Sequence, residues 1–395
     1  MRIAMFSENF YPELSGISDS LIESARELSG LGHDIDFYVP HYSKKDFATS
    51  NVPPSEPNIS EGVKIHRYFS FPYPAPTKQG RMVIPTFLRS FFIKNKPDII
   101  HTHLFFGCGM EGLAASFFLR VPLVGTSHTP ITEFMRYGPV QSPLLEKLAL
   151  NFVSWYYNHC DFVTAPSQGI LDEMKRHGFH KPCRVISNPI DLDSFSPPTQ
   201  EEAHAAKTFF RLSPFTVLYT GRLAPEKHID IIIRAIAMVK EKIPEINFAV
   251  TGHGEGEVSL KKLAEELGVN EQVKFFGTLS TEKHALIYKA ADVFAIASTA
   301  ETQSLSLMKA MATSLPVIGA KARGLAEYIT EANGFFIEPG DVKTLAEHIL
   351  FLYTHPEERI RLGQGGLHTV KQFSRAKIAS DWSALYKEVI AAKKK

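Results

Sequence analysis

Short apolar runs that do not alternate with polar residues restrict the fold of this chain more than any other feature. They include RIAMF, IDFYV and PDIIHTHLFF in the first half and FTVLYT, INFAVT and DVFAIAS in the second. Such runs are typical of strands that are buried on both faces, and the stretches with helical spacing between them favour parallel crossovers. The pattern predicts an α/β protein.

A proline-rich, polar interval, NPIDLDSFSPPTQEEAHAAK, divides the pattern into two halves, and the apolar runs resume at Phe215. A chain of 395 residues also exceeds the size of one ordinary core. We therefore predict two Rossmann-like parallel-sheet domains that face each other across a cleft, at residues 1–193 and 214–373. Residues 194–213 are predicted to be a linker, and the helical stretch 374–395 is expected to cross back to the first domain.

Charge and cysteine content exclude several classes of function. Lys and Arg number 43 and Asp and Glu 42, so no broad basic surface predicts a nucleic-acid partner. The three cysteines show no CxxC spacing, which argues against structural zinc or a disulfide framework and favours a reducing cytoplasm. Without a charged leader or an apolar run of about 18 residues, the chain is expected to be neither exported nor membrane-spanning.

Two glycine-rich motifs follow predicted strands. GCGMEG, residues 107–112, matches GxGxxG, but the next strand does not end in the acid that holds a ribose. We interpret this motif as tight helix–strand packing and not as a nicotinamide site. GHGEG, residues 252–256, has two interpretations that remain open, a loop that approaches a nucleotide or a simple turn.

None of the possible metal motifs is predicted to hold an ion. DID at Asp34 and DLD at Asp191 match a short D-x-D pattern, and the second reads as a turn. His101 and His103 lie in one predicted strand, and we expect them to project to different sides of it and not to share an ion. The sequence predicts no metal site.

Two cations follow the predicted strand FTVLYT, and they give the most informative motif, GRLAPEKHIDIIIRAI. Arg222 can bind two phosphate oxygens at once, while Lys227 supplies a point charge next to a helix N-terminus. A diphosphate would fit there. In the first half, ENFYPELSGIS places Ser15 and Gly16 at the start of a helix, where glycine lets the backbone approach a phosphate.

These residues resemble glycosyltransferase family 4. The resemblance is carried in order by PELSGIS, TSHTP, NPID, GRLAPEKHID, TGHGEG, STAETQ and AMATSLPVIG, and it covers nearly the whole chain. It implies a GT-B fold of two Rossmann-like domains and a transfer that retains the configuration at the sugar carbon.

The resemblance also implies the site residues. His128 would lie near the transferred sugar and Glu301, the first acid of the E-x7-E motif, near its hydroxyls; these two are the predicted catalytic residues. Arg222 and Lys227 would clamp the donor diphosphate, and Gly16 would approach it from the other domain. The other predicted substrate-binding residues are Ser15, Asn188, Gly252, Gly254, Thr302, Gln303, Ser304, Leu305 and Lys309.

Two positions depart from the family pattern. Lys309 stands where a second glutamate normally accepts hydrogen bonds from the ribose hydroxyls, and Ser304 replaces a glycine. Lysine has three donors and no acceptor, so it cannot replace that carboxylate. Three consequences remain open: an active enzyme with altered ribose contacts, an impaired transferase, or a donor that binds in a different way.

Residues 78–96, KQGRMVIPTFLRSFFIKNK, combine basic and apolar side chains without an acid. Such a segment can lie in the headgroup region of an anionic membrane; the alternative is a core helix with a solvated basic edge. The predicted membrane residues are Arg81, Phe87, Leu88, Arg89, Phe91, Phe92, Lys94 and Lys96.

Within the family, SHTPITEFMRYGP and ETQSLSLMKAMATSLPV most resemble diacylglycerol glucosyltransferases. We therefore predict a retaining hexosyltransferase that moves glucose or a related hexose from a UDP-sugar to a lipid, with diacylglycerol as the first choice. It would act at the cytoplasmic face of a membrane without metal or another cofactor. The alternatives are a soluble sugar, inositol or small-molecule acceptor, and a weakly active protein that binds nucleotide or membrane.

Overall fold

The computed structural model describes residues 1–13, 15–50, 52–73, 80–89, 93–128 and 142–394, and the chain forms two compact units. Unit 1 comprises Met1–Pro189 and Arg375–Lys395, and unit 2 comprises Ile190–Ser374. No helix in the described ranges is long and apolar enough to cross a membrane.

Unit 1 is built on a parallel sheet of seven strands in the order β3-β2-β1-β6-β7-β8-β9. The apolar runs form its central strands, and every residue of β6 is buried because helices cover both faces of a parallel sheet. The strands of the unit, including a separate antiparallel pair β4–β5, are β1 (Arg2–Ser7), β2 (Asp34–Pro40), β3 (Val63–Tyr68), β4 (Phe71–Pro72), β5 (Arg81–Met82), β6 (Ile99–His103), β7 (Leu123–Thr126), β8 (Phe162–Ala165) and β9 (Cys183–Val185).

The helices of unit 1 begin where the sequence supplies N-terminal caps or apolar spacing. In the first, the Ser15 hydroxyl accepts a hydrogen bond from the Ser18 amide, while Leu21, Ala25 and Leu28 bury one face at helical spacing. In the described part of the chain, the α-helices before residue 190 are α1 (Gly16–Gly30), α2 (Lys44–Thr49), α3 (Gly107–Leu119), α4 (Pro143–Asn158) and α5 (Gln168–Arg176).

The glycines of GCGMEG pack tightly within unit 1, as the sequence predicts. A Cβ atom on Gly107 would lie 1.7 Å from the Val83 carbonyl oxygen, and one on Gly109 would lie 2.1 Å from that of Leu104. The first turn of α3 therefore tolerates no side chains at these positions. Close packing explains the motif without a dinucleotide.

Unit 2 has a second parallel sheet, in the order β12-β11-β10-β13-β14-β15. Its strands are β10 (Thr216–Thr220), β11 (Asn247–Thr251), β12 (Val273–Gly277), β13 (Val293–Ile296), β14 (Val317–Ala320) and β15 (Gly334–Ile337). Its helices are α6 (Gln200–Phe210), α7 (Ile229–Val239), α8 (Glu257–Glu266), α9 (Thr281–Lys289), α10 (Leu305–Ala312), α11 (Leu325–Tyr328), α12 (Val342–Thr354) and α13 (Pro356–Val370).

The segment 194–213, predicted to be a linker, belongs to the body of unit 2, and that prediction is wrong. Helix α6 occupies most of it, starting at a capping box in which the Thr199 hydroxyl accepts from the Glu202 amide and the Glu202 carboxylate accepts from the Thr199 amide. Phe195 and Phe210 are buried in the core of the unit. The polar composition reflects an amphipathic helix that buries only Ala206 and Phe210.

The last helix, α14 (Arg375–Lys393), is part of unit 1. Arg375 bonds to Glu23 of α1 at 3.1 Å, and Ser383 bonds to His33 at 2.9 Å. Trp382 and Tyr386 are buried in unit 1. The C-terminal segment thus completes a face of the first sheet.

Candidate active site

Strands β10 and β13 are neighbours in the second sheet although two strands separate them in the chain. In open parallel sheets, ligands bind beyond the carboxyl ends of the strands at such a reversal of strand order. The loop after β10 carries Arg222 and Lys227, and the loop after β13 carries Glu301. The topology therefore brings the predicted donor residues to one edge.

Both predicted phosphate-binding cations form ion pairs with carboxylates at this edge. The Arg222 guanidinium donates to Glu226 at 2.6 Å, and the Lys227 ammonium donates to Glu301 at 2.6 Å. The side chains of Lys227 and Glu301 are only 16% and 14% exposed. A diphosphate that binds here would compete with these carboxylates for the same donors, which makes anion binding an exchange of partners.

Glu301 is fixed by the backbone around it. The Gly324 amide donates to the Glu301 carbonyl at 3.0 Å, and a Cβ on Gly324 would lie 1.9 Å from the Thr302 carbonyl oxygen. Helix α10 begins only at Leu305, because the Ser304 hydroxyl caps it by accepting from the Leu307 amide at 3.3 Å. Glu301 thus lies in the loop that precedes α10.

Lys309 lies on α10 with its ammonium 5.0 Å from the centre of the Phe195 ring, a cation–π contact. Phe195 also packs edge-on against His284, whose Nε2 is 3.4 Å from the Thr220 hydroxyl. Burial lowers the pKa of His284 to about 3, and the nearby Lys309 charge adds to this effect. Phe195 and His284 were not predicted to lie near Lys309, because no spacing in the sequence links these residues to it.

The GHGEG loop is packed against the loop after β10. A Cβ on Gly252 would lie 1.9 Å from the Gly221 carbonyl oxygen, and one on Gly254 would lie 2.3 Å from that of Leu223. Backbone hydrogen bonds from Gly221 to Thr251 and from Leu223 to His253 tie the two loops together. The glycines are required by this packing, whether or not a ligand also approaches them.

Three predicted residues of unit 1 occupy polar positions near the carboxyl edge of the first sheet. Ser15 caps α1 and Gly16 begins it, so both lie at the helix end whose dipole favours an anion. Asn188 accepts a hydrogen bond from the Ser20 hydroxyl of the same helix at 2.8 Å. The remaining predicted residues Thr302, Gln303 and Leu305 lie in unit 2, between Glu301 and the first turn of α10.

His128 follows β7 and belongs to a buried group of histidines in unit 1. Its Nε2 lies 3.0 Å from the Nδ1 of His103. Burial lowers the pKa of His128 to about 4, so the side chain is neutral at pH 7. The prediction that His101 and His103 project to different sides is wrong: their ring centres are 3.8 Å apart, since residues two apart in a strand share a face.

The possible metal motifs serve other purposes. Asp191 accepts hydrogen bonds from the amides of Asp193 and Ser194 and from the Ser194 hydroxyl, which makes a turn. Asp36 bonds to His66 at 2.9 Å. Among the residues that the structure describes, no three His, Cys, Asp or Glu side chains are grouped to hold a metal ion.

The predicted membrane segment is not helical from Arg81 to Leu88. Arg81 and Met82 form β5, and the residues from Val83 to Leu88 follow without forming a helix. Arg81 pairs with Asp46, and Arg89 pairs with Glu111 at 3.3 Å and stacks over Tyr68. These two arginines, predicted to bind lipid, are structural cations of unit 1. Phe91 and Phe92 lie outside the described residues.

The same segment exposes apolar side chains. Ile84 is 54% and Leu88 is 61% exposed, and Met82 and Phe87 are also exposed. Two buried carboxylates hold the backbone beneath them: Glu8 accepts from the Val83 amide at 2.6 Å, and Glu111 accepts from the Thr86 amide at 2.6 Å. The apolar groups therefore face solvent from a fixed loop. Lys94 and Lys96, further along, are exposed.

Helix α4 exposes a second apolar row on unit 1. Its members are spaced by four, four and three residues, which places them on one side of the helix. They are Leu144, Leu148, Phe152 and Trp155. Phe152 also packs edge-on against the buried Phe105, so the row is anchored to the core of the unit.

Two family models match the chain. Residues 14–194 match "Glycosyltransferase Family 4" and residues 200–368 match "Glycosyl transferases group 1". An alpha-monoglucosyldiacylglycerol synthase of Acholeplasma laidlawii is 28% identical over 99% of this chain and 98% of its own length. A D-inositol 3-phosphate glycosyltransferase of Corynebacterium glutamicum is 25% identical over 99% and 97%, respectively.

Solved structures share the fold. The HepE protein of Anabaena in complex with UDP has a TM-score of 0.76 at 20% identity, and the match covers 98% of this chain and 100% of that one. A sucrose-phosphate synthase of Thermosynechococcus elongatus has a TM-score of 0.77 at 21% identity, with coverage of 99% and 100%. At these identities the likeness establishes the architecture alone.

Proposed function

The chain belongs to glycosyltransferase family 4 and has the GT-B fold, and from this premise we propose that it transfers glucose, or a related hexose, from a UDP-sugar to diacylglycerol. The observation that carries the donor half of the proposal is the placement of Arg222 and Lys227 at the reversal of strand order in the second sheet. The acceptor is suggested by the name of the Acholeplasma relative.

We propose that the two cations stabilise the departing diphosphate. Negative charge grows on the leaving group as the sugar becomes oxocarbenium-like, and fixed positive groups at that position lower the barrier without reorganising. Glu301 would exchange its bond to Lys227 for a bond to a sugar hydroxyl, and His128 would orient the sugar. Neither group needs to transfer a proton in this scheme: the acceptor hydroxyl oxygen bonds to the anomeric carbon on the face from which the diphosphate departs, and the hydroxyl proton passes to the departing diphosphate. The expected product retains the configuration of the donor, which the anomeric coupling constant of the product would report.

The acceptor half of the proposal rests on the apolar surface of unit 1. Exposed Ile84, Phe87 and Leu88 would enter the acyl boundary of a bilayer, and Lys94 and Lys96 would contact anionic headgroups. A lipid acceptor requires the enzyme to work at such a surface. Arg81 and Arg89 are not part of this contact, because their ion pairs lie within unit 1.

Incubation with labelled UDP-glucose, with and without anionic vesicles that contain diacylglycerol, tests the function. We expect an organic-soluble labelled product that depends on the vesicles. A water-soluble product formed with inositol phosphate or a sugar would favour the second candidate, which the Corynebacterium relative suggests. Nucleotide binding without turnover under all conditions would contradict both.

Lys309→Glu is expected to tighten UDP binding about 10-fold, because a carboxylate can accept hydrogen bonds from the ribose hydroxyls. Isothermal titration with UDP measures the effect. Lys309→Met is the matched control, since it also removes the contact of the ammonium with Phe195 but supplies no acceptor. Equal affinity of the Glu and Met variants would refute the ribose argument.

Replacing Ile84, Phe87 and Leu88 together by serine is expected to weaken binding to anionic vesicles at least about 10-fold, because each buried apolar side chain contributes to partitioning. Vesicle co-sedimentation measures the partition coefficient. The control variant replaces the exposed Phe209 and Ile360 of unit 2 by serine and should bind normally. A further variant, Lys94→Glu with Lys96→Glu, should lose binding in low salt more than in high salt.

A further inference from the structure

His103 is buried beside His128 and contacts it through one ring nitrogen. Its Nδ1 is 3.0 Å from His128 Nε2, and only 5% of the residue is exposed. Within the described part of the chain, no group bonds to its Nε2. His103 lines a small pocket that His128 and Asn188 also line. It therefore touches one residue that we have placed near the transferred sugar and shares a pocket with another predicted substrate-binding residue.

The hydrogen bond between the two rings requires that one of the two bonded nitrogens carries a proton and that the other does not. Both imidazoles are neutral because burial lowers the pKa of each, so one ring donates and the other accepts. If His128 donated, the proton of His103 would sit on Nε2, which has no acceptor among the described residues. A buried N–H without a partner is costlier and rarer than an unused lone pair. The favoured arrangement has His103 Nδ1–H donating to His128 Nε2.

We propose that His103 is a positioning residue for transfer: it holds the His128 ring in place and in the tautomer that carries its proton on Nδ1. His128 then presents a donor and not an acceptor at Nδ1. An effect of His103 on catalysis rests on the proposed function, whereas the tautomer of His128 depends on unit 1 alone.

The other histidine of the strand is held separately. His101 bonds to the Tyr386 hydroxyl at 2.7 Å through Nδ1 and to the Thr126 hydroxyl at 2.6 Å through Nε2. Both of its nitrogens are thus occupied, and it makes a rigid wall for the His103 ring, which lies 3.8 Å away. The two histidines of the HTH motif, residues 101–103, therefore have different roles.

Long-range nitrogen–proton NMR correlations of histidine-labelled protein test the tautomer directly. We expect His128 to carry its proton on Nδ1 in the wild type and to shift toward Nε2–H in His103→Ala. His103→Asn is the rescue variant, because its amide nitrogen can replace the Nδ1 donor. Tyr386→Phe, which removes a bond to His101 only, should leave the His128 signals unchanged.

Steady-state kinetics test whether His103 contributes to transfer. His103→Ala is expected to lower kcat about 10-fold with KM for the donor changed less than about twofold, and His103→Asn to recover most of it. A wild-type His128 protonated on Nε2 overturns the proposal even if the enzyme is active. Unchanged kcat in a folded His103→Ala overturns the functional part. If no variant, wild type included, shows transfer, the proposed function fails and the NMR result still decides the tautomer.

Discussion

Lys227→Met should lower kcat/KM for transfer from UDP-glucose about 10³-fold. The substitution removes a fixed positive group from the position where leaving-group charge develops, and losses of this size are typical when one preorganised electrostatic partner is deleted. It also leaves Glu301, only 14% exposed, without its 2.6 Å partner. Initial rates at several donor concentrations, under conditions where the wild type is active, measure the loss.

Two further variants separate these effects. Lys227→Met combined with Glu301→Gln removes the unpaired carboxylate, so it should restore the thermal stability lost in the single variant but not the transfer rate. Lys261→Met deletes an exposed lysine that pairs with Glu257 on the same unit, and it should keep at least half of the activity. A Lys227→Met enzyme with more than a tenth of wild-type kcat/KM would contradict the assigned role.

Gly252→Ala should destabilise the protein by about 3 kcal/mol or more. The backbone of Gly252 has a φ of 119°, which side chains disfavour, and a Cβ there would lie 1.9 Å from the Gly221 carbonyl oxygen. Because that neighbour is backbone, it cannot move aside without displacing the loop that bears Arg222. Urea denaturation followed by circular dichroism measures the free energy of unfolding.

Gly268→Ala is the matched control for this prediction. Gly268 also has a positive φ, 66°, but a Cβ added there would meet no atom within 4 Å. Its cost should be about 1 kcal/mol, the ordinary penalty for a left-handed alanine. Similar losses in the two variants would show that steric contact with the neighbouring loop does not decide the tolerance of residue 252.

The parts of the structure that depend on local pattern were predictable. Apolar runs indicated the strands, a serine before a glycine indicated the start of α1, and the cations after β10 lie at the edge where the topology places ligands. These features follow from periodicity, capping and the direction of parallel strands. The family resemblance then indicated a transferase.

The features that the sequence did not reveal depend on partners distant in the chain. The sequence predicted that Arg89 binds lipid, but its guanidinium pairs with Glu111, 22 residues away in the chain. Lys309 contacts Phe195, although strands β10 to β13 separate the two residues in the chain. Phe195 is buried, but it lies in the segment that was predicted to be a linker. No periodicity encodes such pairs. For His101 and His103, by contrast, strand geometry alone was sufficient to place both rings on one face.

The return of α14 to unit 1 has a consequence for biosynthesis. Translation proceeds from the N-terminus towards the C-terminus, so the ribosome finishes unit 2 before it makes the segment that supplies Trp382 and Tyr386 to unit 1. The first sheet therefore keeps one face incomplete until helix α14 has left the ribosome. A stop codon at residue 375 would therefore damage the first half of the protein and spare the second, which ends at Ser374.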